Sequence, residues 1–285
     1  MNINDLKLFM AVAFHGNFTK AAEASYTVQS NVTARIKSLE EEFDTKLFLR
    51  TSRKVELTSA GETLLHYSKQ IINLIEEAKI SIGKNDIING QIKIGFLETT
   101  MAHKGPSIVH EMADKFPLID LHLTSSMRDT LIDSVLNYKL DAAFIPAPVY
   151  NEELKQIHVN DERIVAVTPI FVKNLEDLLE QPLMKTIVFD QGCFLRARLE
   201  SRLISHNIMN YHKTVINSIE GVVNFIESGI GFSFLPEEIV STFYSGRKIK
   251  THALPKEIGA IKTVLIYRKE NLSSPVLKAF VSLYT

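Results

Sequence analysis

The first part of the chain combines helical spacing with a hairpin pattern. Over residues 17–58, small apolar residues at helical spacing are followed by an amphipathic run and then by two short apolar runs that flank cations. The apolar residues of the amphipathic run recur at steps of four, three and four: Val32, Ile36, Leu39 and Phe43. At about 100° per residue these steps place all of them on one narrow face, which is predicted to be buried.

The outward face of the same helix carries side chains suited to a DNA groove. Near its N-terminus it presents short hydrogen-bonding groups, a methyl group and one cation: Ser30, Asn31, Thr33, Ala34 and Lys37. Such groups can meet base edges and phosphates in a major groove. The acidic run 40–42 begins eleven residues after Gln29, and this separation of roughly 16 Å along the axis allows the run to lie outside the groove.

A basic hairpin is predicted between Leu47 and Leu57, with Arg50, Arg53 and Lys54 near its tip. Such a tip would lie beside neighbouring phosphates. Helix, turn, amphipathic helix and hairpin together predict a winged helix-turn-helix. The pattern alone also allows a small helical bundle with a solvated basic turn.

A single long helix is predicted from Thr58 or Ser59 to about Ile88. Its seam alternates steps of four and three and consists of Leu64, Ser68, Ile71, Ile75, Ala78 and Ile82. Such a seam packs against another helix, either the same helix of a second subunit or an element of its own chain. The residues predicted to end the helix and form a hinge are Asn85, Asp86, Asn89 and Gly90.

From Gln91 onward, strand and helix patterns alternate, with a helix predicted over 102–116. This order predicts a mostly parallel sheet covered on both faces. Two α/β lobes are predicted, lobe I over about 90–161 and 267–285 and lobe II over about 162–266, with the chain crossing back near IKTVLIYRK. Such lobes enclose a cleft, and ligands usually bind there outside the carboxyl ends of the strands.

Candidate ligand-binding residues follow from that rule. They lie in turns after strands and at helix starts: Thr99, Thr100, Met101, Ser125, Ser126, Pro146, Gln191, Cys193, Arg196 and Asn217, with Glu98, Met127 and Gly192 in the same turns. Hydroxyls and backbone N–H groups at helix starts favour a small polar or anionic molecule. Each residue taken alone is also compatible with a capping or turn role, and Arg196 with a solvated helix position.

Composition adds limits. The chain has 32 Lys and Arg against 33 Asp and Glu, a formal charge of −1, so DNA binding must depend on where charges lie and on two copies acting together. Cys193 is the only cysteine, which excludes an internal disulfide and leaves either a redox role or a pocket-lining role.

No metal-binding or catalytic motif is evident in the sequence. His103 and His110 lie seven residues apart, which is too far for a shared metal. The absence of a signal peptide or long apolar run predicts a cytoplasmic protein without membrane contact.

Three segments resemble LysR-type transcriptional regulators: DLKLFMAVAFHGNFTKAAEA, VQSNVTARIKSLEEEF and KLFLRTSRKVELTSAG. The likeness continues to the C-terminus with few gaps. It implies an α/β chain with a mostly helical winged helix-turn-helix over 1–58, a dimerising linker helix and hinge over 59–89, and a two-lobed effector domain over 90–285 similar to type 2 periplasmic binding proteins.

The resemblance implies a regulator that binds an inverted-repeat promoter site in double-stranded DNA as a homodimer or homotetramer, responds to a small-molecule co-inducer without a cofactor, and can meet RNA polymerase. The expected DNA contacts are Thr19, Gln29, Ser30, Asn31, Thr33, Ala34, Lys37, Arg50, Arg53 and Lys54.

The chain departs from the family at several positions of the reading helix. Val28 stands where a capping Ser is usual, with Thr27 the nearest substitute, and Ala34 stands where many members have Arg. Losing Arg removes the commonest guanine contact, and a methyl group suits thymine, so an A/T-leaning operator is expected. Two other classes share the lobes: a solute-binding transport protein, which requires an export signal, and an enzyme, which requires converging catalytic groups.

Overall fold

The computed structural model describes residues 1–50, 54–82, 88–180 and 185–285. The chain divides into two compact units, Met1–Lys84 and Asn85–Thr285. Within the described part, no helix has the length and apolar character needed to cross a membrane.

Within its described residues, the first unit contains four helices and one hairpin. In chain order they are α1 Ile3–His15, α2 Phe18–Ala24, α3 Gln29–Glu42, β1 Phe48–Arg50, β2 Val55–Leu57 and α4 Ser59–Ile82. The antiparallel hairpin pairs Phe48 with Leu57. Small residues let the short helices approach closely, because Ala21 and Ala22 of α2 are buried in the same core as Phe9, Val32 and Ile36. This arrangement confirms the predicted winged helix-turn-helix.

Local capping fixes the ends of the first two helices. Asn2 and Asp5 form a reciprocal capping box at the start of α1, which ends at Gly16 in the left-handed conformation, with φ of 57°. The side chain of Asn17 accepts from the amides of Thr19 and Lys20 at the start of α2. These bonds satisfy amides that a helix leaves unpaired, and so they fix the turn between α1 and α2.

The buried face of α3 differs from the predicted one at its C-terminal end. Val32, Ile36 and Leu39 are buried as predicted, but Phe43 is the C-cap residue and is 43% exposed. Glu40 faces the core instead and is 5% exposed. The helix ends before the fourth apolar position completes the stripe, so the prediction for Phe43 was wrong.

The long helix α4 starts where predicted. Thr58 caps it, since its hydroxyl accepts from the amide of Gly61 at 3.0 Å. Within the described residues α4 extends to Ile82. The predicted hinge residues Asn85 and Asp86 lie outside the described residues, whereas Ile88, the predicted end of the helix, is described and is not helical. Along this helix Tyr67, Leu74 and Ile82 are exposed.

The second unit is built on mixed sheets. Its strands are β3 Gly90–Phe96, β4 Ile119–Ser125, β5 Ala142–Pro146, β6 Leu154–Pro169, β7 Lys185–Val188, β8 His212–Val215, β9 Ser233–Pro236, β10 Ile249–Ala253 and β11 Ala260–Arg268. The main sheet has the order β10-β6-β11-β5-β3-β4, with β9 also paired to β6, and β7 and β8 form a second sheet. Parallel pairs join β3 to β4 and β5, and β7 to β8.

Antiparallel pairing is the main departure from the predicted sheet. Strand β11 is antiparallel to both β5 and β6, and β6 is antiparallel to β9 and β10. The expected mostly parallel sheet was therefore wrong: β6 and β11 are the crossover strands between two lobes, and they run against each other. The first half of β6 pairs with β11, and its second half pairs with β9 and β10.

Helices cover these sheets. They are α5 Glu98–Lys115, α6 Arg128–Leu136, α7 Leu175–Leu179, α8 Phe194–Ser205, α9 Ile219–Glu227, α10 Glu237–Phe243, α11 Lys256–Gly259, a 3-10 helix Lys269–Ser273 and α12 Pro275–Val281. Helix α5 begins four residues earlier than the predicted start at Ala102. The residues expected in a turn after β3 therefore belong to the first turn of α5.

Candidate DNA-binding face and effector cleft

The reading face of α3 is open to solvent. Among the predicted DNA contacts, those exposed are Thr19, Gln29, Ser30, Asn31, Ala34, Lys37 and Lys54, and Thr33 is half-buried. The N-cap residue Val28 makes no side-chain cap. The amide of Asn31 donates to the carbonyl of Val28 at 3.0 Å, and the amides of Gln29 and Ser30 are available to a phosphate, which favours binding through the helix N-terminus.

Two side-chain hydrogen bonds orient the amide side chains at the start of α3. The hydroxyl of Thr19 donates to Oε1 of Gln29 at 3.3 Å. Nδ2 of Asn31 donates to Oγ1 of Thr27 at 3.0 Å. The expectation that Thr27 substitutes for the missing cap was wrong, because its hydroxyl accepts from a side chain and not from a backbone amide of α3.

Glu40 joins the reading helix to the wing. Its carboxylate accepts from Nζ of Lys46 at 2.8 Å and from the amides of Leu47 and Phe48 at 3.0 and 3.4 Å. Burial alone raises the pKa of Glu40, but these hydrogen bonds outweigh burial, and the pKa is held below its ordinary value. A charged Glu40 therefore fixes the position of β1 relative to α3.

Two cations around this face form ion pairs with neighbouring carboxylates. Lys37 lies 3.5 Å from Glu41 and Lys54 lies 3.3 Å from Glu56, both pairs being exposed. Exposed pairs of this kind are weak and can exchange for a phosphate. The predicted contact Arg53 and the side chain of Arg50 lie outside the part of the chain that the structure describes.

The second unit contains a cavity of about 270 Å³ between its two lobes. Lobe I lines it from the ends of β3 and β4 and the starts of α5 and α6, and lobe II from the end of β7 and the start of α8. The lining residues are Leu97, Glu98, Thr99, Ser125, Ser126, Met127, Arg128, Phe189, Asp190, Gly192, Cys193, Phe194, Leu195 and Asn217. The cavity thus lies outside carboxyl ends of parallel strands, where ligands of such folds bind.

Helices α5, α6 and α8 begin at this cavity. Their N-cap residues Leu97, Met127 and Cys193 all line it. None offers a capping oxygen, and the sulfur of Cys193 is only a weak acceptor. In contrast, Ser218 caps α9 by accepting from the amide of Gly221 at 3.1 Å. The cavity therefore receives the positive ends of three helices whose first-turn amides lack an oxygen partner.

Charged side chains at the cavity are partly engaged. Arg128 donates to the carbonyl oxygens of Pro146 at 3.3 Å and Pro148 at 2.6 Å. Asp190 accepts from Nδ2 of Asn217 at 3.1 Å, while its amide donates to Oδ1 of Asn217 at 3.0 Å. Glu98 is exposed at the first position of α5. The cavity wall thus combines helix amides with two carboxylates and a guanidinium held by backbone oxygens.

The predicted effector residues divide into two groups. Those that line the cavity are Thr99, Ser125, Ser126, Cys193 and Asn217, and those that do not are Thr100, Met101, Pro146, Gln191 and Arg196. Thr100 and Met101 belong to the first turns of α5 and not to a turn after β3. Thr100 therefore faces the core and is 5% exposed. Met101 is one residue further along the same helix and does not line the cavity.

The other three residues outside the cavity have separate reasons. Pro146 is buried at the end of β5, and only its carbonyl is used, by Arg128. Gln191 is exposed in the turn that precedes α8. Arg196 is paired to Glu200 at 2.9 Å on its own helix and donates to the carbonyl of Phe189.

The apolar half of the cavity was not predicted from the sequence. Leu97, Phe189, Phe194 and Leu195 supply apolar surface, and they resemble ordinary core residues in sequence. Only their position in the chain, next to a strand end or a helix start, indicates that they line the cavity. Arg128 and Asp190 were also not predicted, although both adjoin residues that were.

Cys193 is half-buried at the cavity wall. Burial raises the pKa of its thiol, the amides of Arg196 and Leu195 counter this in part, and the carboxylate of Glu98 raises the pKa further. The pKa of the thiol is therefore raised overall, so the reactive thiolate is disfavoured.

Among the described residues no cluster of His, Cys, Asp and Glu could hold a metal ion.

Family models cover nearly the whole chain. Residues 3–62 match the bacterial regulatory helix-turn-helix protein of the lysR family, and residues 86–285 match the LysR substrate binding domain. The chain belongs to the LysR family of transcriptional regulators. It is a DNA-binding transcriptional regulator of the LysR type with an effector-binding domain, as its resemblance implied.

Similar regulators align with this LysR-type chain from end to end. The transcriptional regulator GltR of Bacillus subtilis is 33% identical over 286 residues, covering 99% of this chain and 95% of the relative. YofA of Bacillus velezensis is 35% identical over 271 residues, covering 95% of this chain and 93% of the relative.

Solved structures share the fold. ArgP from Mycobacterium tuberculosis has a TM-score of 0.74 at 19% identity, covering 98% of this chain and 94% of that one. Full-length CbnR complexed with its target DNA has a TM-score of 0.68 at 18% identity, covering 100% and 99%. At these identities the likeness concerns the fold alone.

Proposed function

We propose that this LysR-type regulator reads an inverted-repeat, A/T-leaning promoter site with the exposed face of α3. The observation that carries the proposal is this solvent-open face at the uncapped N-terminus of α3, with Gln29 and Asn31 oriented by neighbouring hydroxyls. Phosphate contacts from the wing residues Arg50, Arg53 and Lys54 complete the interface. Thr19, Ser30, Thr33, Ala34 and Lys37 are the remaining expected contacts.

The effector is proposed to bind the cavity between the lobes. Amides at three helix starts suit an anionic group, while Glu98 and Asp190 suit a donor or cationic group of the same molecule. The apolar walls formed by Leu97, Phe189 and Phe194 suit a small apolar body between them. A small polar or anionic metabolite, with zwitterions included, is therefore the expected class of co-inducer.

The functional assembly is proposed to be a homodimer, or a homotetramer of such dimers. The exposed apolar residues Tyr67, Leu74 and Ile82 of α4 support pairing with a second copy of the helix. A two-fold dimer presents two reading helices to the two halves of an inverted repeat. Residues 1–58, 59–89 and 90–285 are proposed as the DNA-binding, linker and effector-binding domains.

Regulation is proposed to be a ligand-biased rearrangement. An effector that binds closed lobes better in one assembly than in another changes the spacing of the DNA-binding pairs, and thereby the access of RNA polymerase. A coupling of about 1–3 kcal/mol suffices for such a response. The protein is proposed to act in the cytoplasm and not as an enzyme.

A gel shift with DNA from upstream of the protein's own gene tests DNA binding, because regulators of this family commonly bind there. A retarded band that shifts further when a metabolite is added supports both halves of the proposal. A thermal-shift screen of carboxylic acids, amino acids and amines then identifies the effector class. Amines alone raising the melting temperature would contradict the anion-binding role of the helix starts.

A further inference from the structure

We infer that Asn31 reads an adenine in each half of the operator and that Thr27 is the residue that positions it. The inference rests on the proposed DNA-reading face and adds to it a base identity and a supporting residue. The observation behind it is the hydrogen bond from Nδ2 of Asn31 to Oγ1 of Thr27, at 3.0 Å.

The position of Asn31 suits base contact. It is the third residue of α3 and is exposed. In a helix-turn-helix the first residues of the second helix reach base edges, whereas later ones move away from the groove. Thr27 precedes the helix and is half-buried. Its position is therefore fixed by the protein before DNA binds.

The hydrogen-bond inventory of the amide then selects the base. An Asn side chain has two N–H donors and one carbonyl acceptor. Thr27 occupies one donor, which leaves one N–H and the acceptor Oδ1 for a base. Adenine presents the matching pair in the major groove, since N7 accepts and the N6 amino group donates. Guanine presents two acceptors there, so Oδ1 of Asn31 would face another acceptor.

The hydrogen bond to Thr27 also lowers the entropic cost of recognition. A free Asn side chain samples several rotamers, and immobilising such a side chain at an interface costs affinity. Thr27 restricts this motion before DNA binds. Ala34, one turn further along the same helix, offers a methyl group of the kind that contacts thymine. The two residues together predict a reading element for A and T.

Gln29 is held in the opposite sense. Its Oε1 accepts from the hydroxyl of Thr19 at 3.3 Å, so both of its N–H donors stay free. These free donors bind acceptor atoms, and both purines offer an acceptor at N7 in the major groove. Gln29 is therefore expected to discriminate between bases less than Asn31 does. Base identity is therefore assigned to Asn31 and a more general contact to Gln29.

The test is selection of binding sites from randomised duplexes by the full-length protein and by variants. Asn31→Ala is expected to lose the preference for adenine at one position of each half-site, a preference of roughly 5- to 150-fold for a bidentate contact. Thr27→Val, which keeps the shape and removes the acceptor, is expected to weaken the preference at that same position. Thr27→Ser, which keeps the hydroxyl, is expected to restore it.

Ser38→Ala serves as the control. Ser38 is exposed on α3, nine residues after its first residue, and its truncation is expected to leave every base preference unchanged. Circular dichroism and a melting curve verify that each variant is folded. Because Asn31 is exposed and Ala is a good helix former, folding is expected to be retained.

Two failures can be told apart. If the wild-type protein enriches no sequence, the DNA-reading role itself is wrong. If the wild type enriches an inverted repeat and Asn31→Ala or Thr27→Val enriches the same one with the same base preferences, only the assignment of Asn31 and Thr27 is overturned. Loss of the adenine preference in Thr27→Ser as well as Thr27→Val would reject the hydroxyl as the positioning group.

Discussion

Nε2 of His103 lies 2.9 Å from Oε2 of Glu238, and this contact joins α5 of one lobe to α10 of the other. Both side chains are partly exposed, so the pair is weak by itself. It nevertheless lies where opening of the lobes would separate its members. The pair is therefore a local marker of lobe closure.

Replacing Glu238 by Gln is predicted to favour opening of the lobes. The loss of an exposed pair increases the open population by about 1.4- to five-fold. Hydrogen exchange followed by mass spectrometry checks this, with faster exchange expected in the cavity-lining segments around Ser125 and Cys193. His110→Gln, an exposed change on the same helix, is the control. Equal exchange in both variants would show that the pair does not contribute to closure.

Glu40 is predicted to stabilise the wing in a pH-dependent way. Because its pKa in the folded protein is lowered, its contribution is present above the unfolded pKa and is lost as the pH falls through the folded value. Glu40→Ala leaves the amides of Leu47 and Phe48 without their acceptor, at a cost of about 1–3 kcal/mol.

Protection factors of the amides of Leu47 and Phe48, measured by NMR at pH 7 and at pH 4, test this prediction. Wild-type protection is expected to fall toward that of Glu40→Ala at the lower pH. The control Glu41→Gln removes an exposed carboxylate next in sequence. Protection in wild type that does not change with pH would contradict the assigned role of the carboxylate.

The exposed face of α4 is predicted to hold two subunits together. Leu74 is 60% exposed and Tyr67 is 55% exposed on this helix. In a two-fold interface Leu74→Glu acts twice, and since each buried Leu contributes about 1.5–3 kcal/mol, the dimer is expected to weaken by more than a hundred-fold. Analytical ultracentrifugation measures the change. Glu62→Gln, exposed in the first turn of α4, is the control, and a dimer that persists in Leu74→Glu would refute a subunit contact through this exposed face of α4.

Cys193 is predicted to react slowly. Burial raises its pKa, so the thiolate fraction at neutral pH is smaller than that of an ordinary cysteine. Labelling by a maleimide is expected to be slower than that of Ser245→Cys, an exposed site, in a Cys193→Ser background. Cys193→Ser is also expected to leave the response to peroxide in a promoter assay unchanged, whereas a lost response would restore the redox role.

Periodicity predicted the elements whose partners are local. The burial of Val32, Ile36 and Leu39 follows from helical spacing alone. The inward turn of Glu40 does not, because two of its three partners are the backbone amides of Leu47 and Phe48, which any sequence would have. A buried carboxylate of this kind is visible only when the wing is in place.

Strand direction was harder to predict. The antiparallel pairing of β6 and β11 joins residues about a hundred positions apart, such as Glu162 and Ile261, and no local pattern encodes it. For a related reason, only the polar part of the cavity lining was predicted. Hydroxyls such as Thr99 and Ser126 stand out after a strand, but Phe194 and Leu195 at the same cavity are indistinguishable in sequence from core residues.

Recognition of the operator depends on the outward face of α3 docking into a DNA groove. The most direct measurement is the affinity of Ala34→Glu for the upstream duplex, compared with wild type by fluorescence anisotropy over a range of salt concentrations. A carboxylate at the centre of this face is predicted to weaken binding by more than about a hundred-fold, because like charges brought together cost several kcal/mol. Ser245→Glu, the same charge change at an exposed site of the second unit, is predicted to bind as wild type does. Equal affinities for wild type and Ala34→Glu would contradict the docking of this face into DNA.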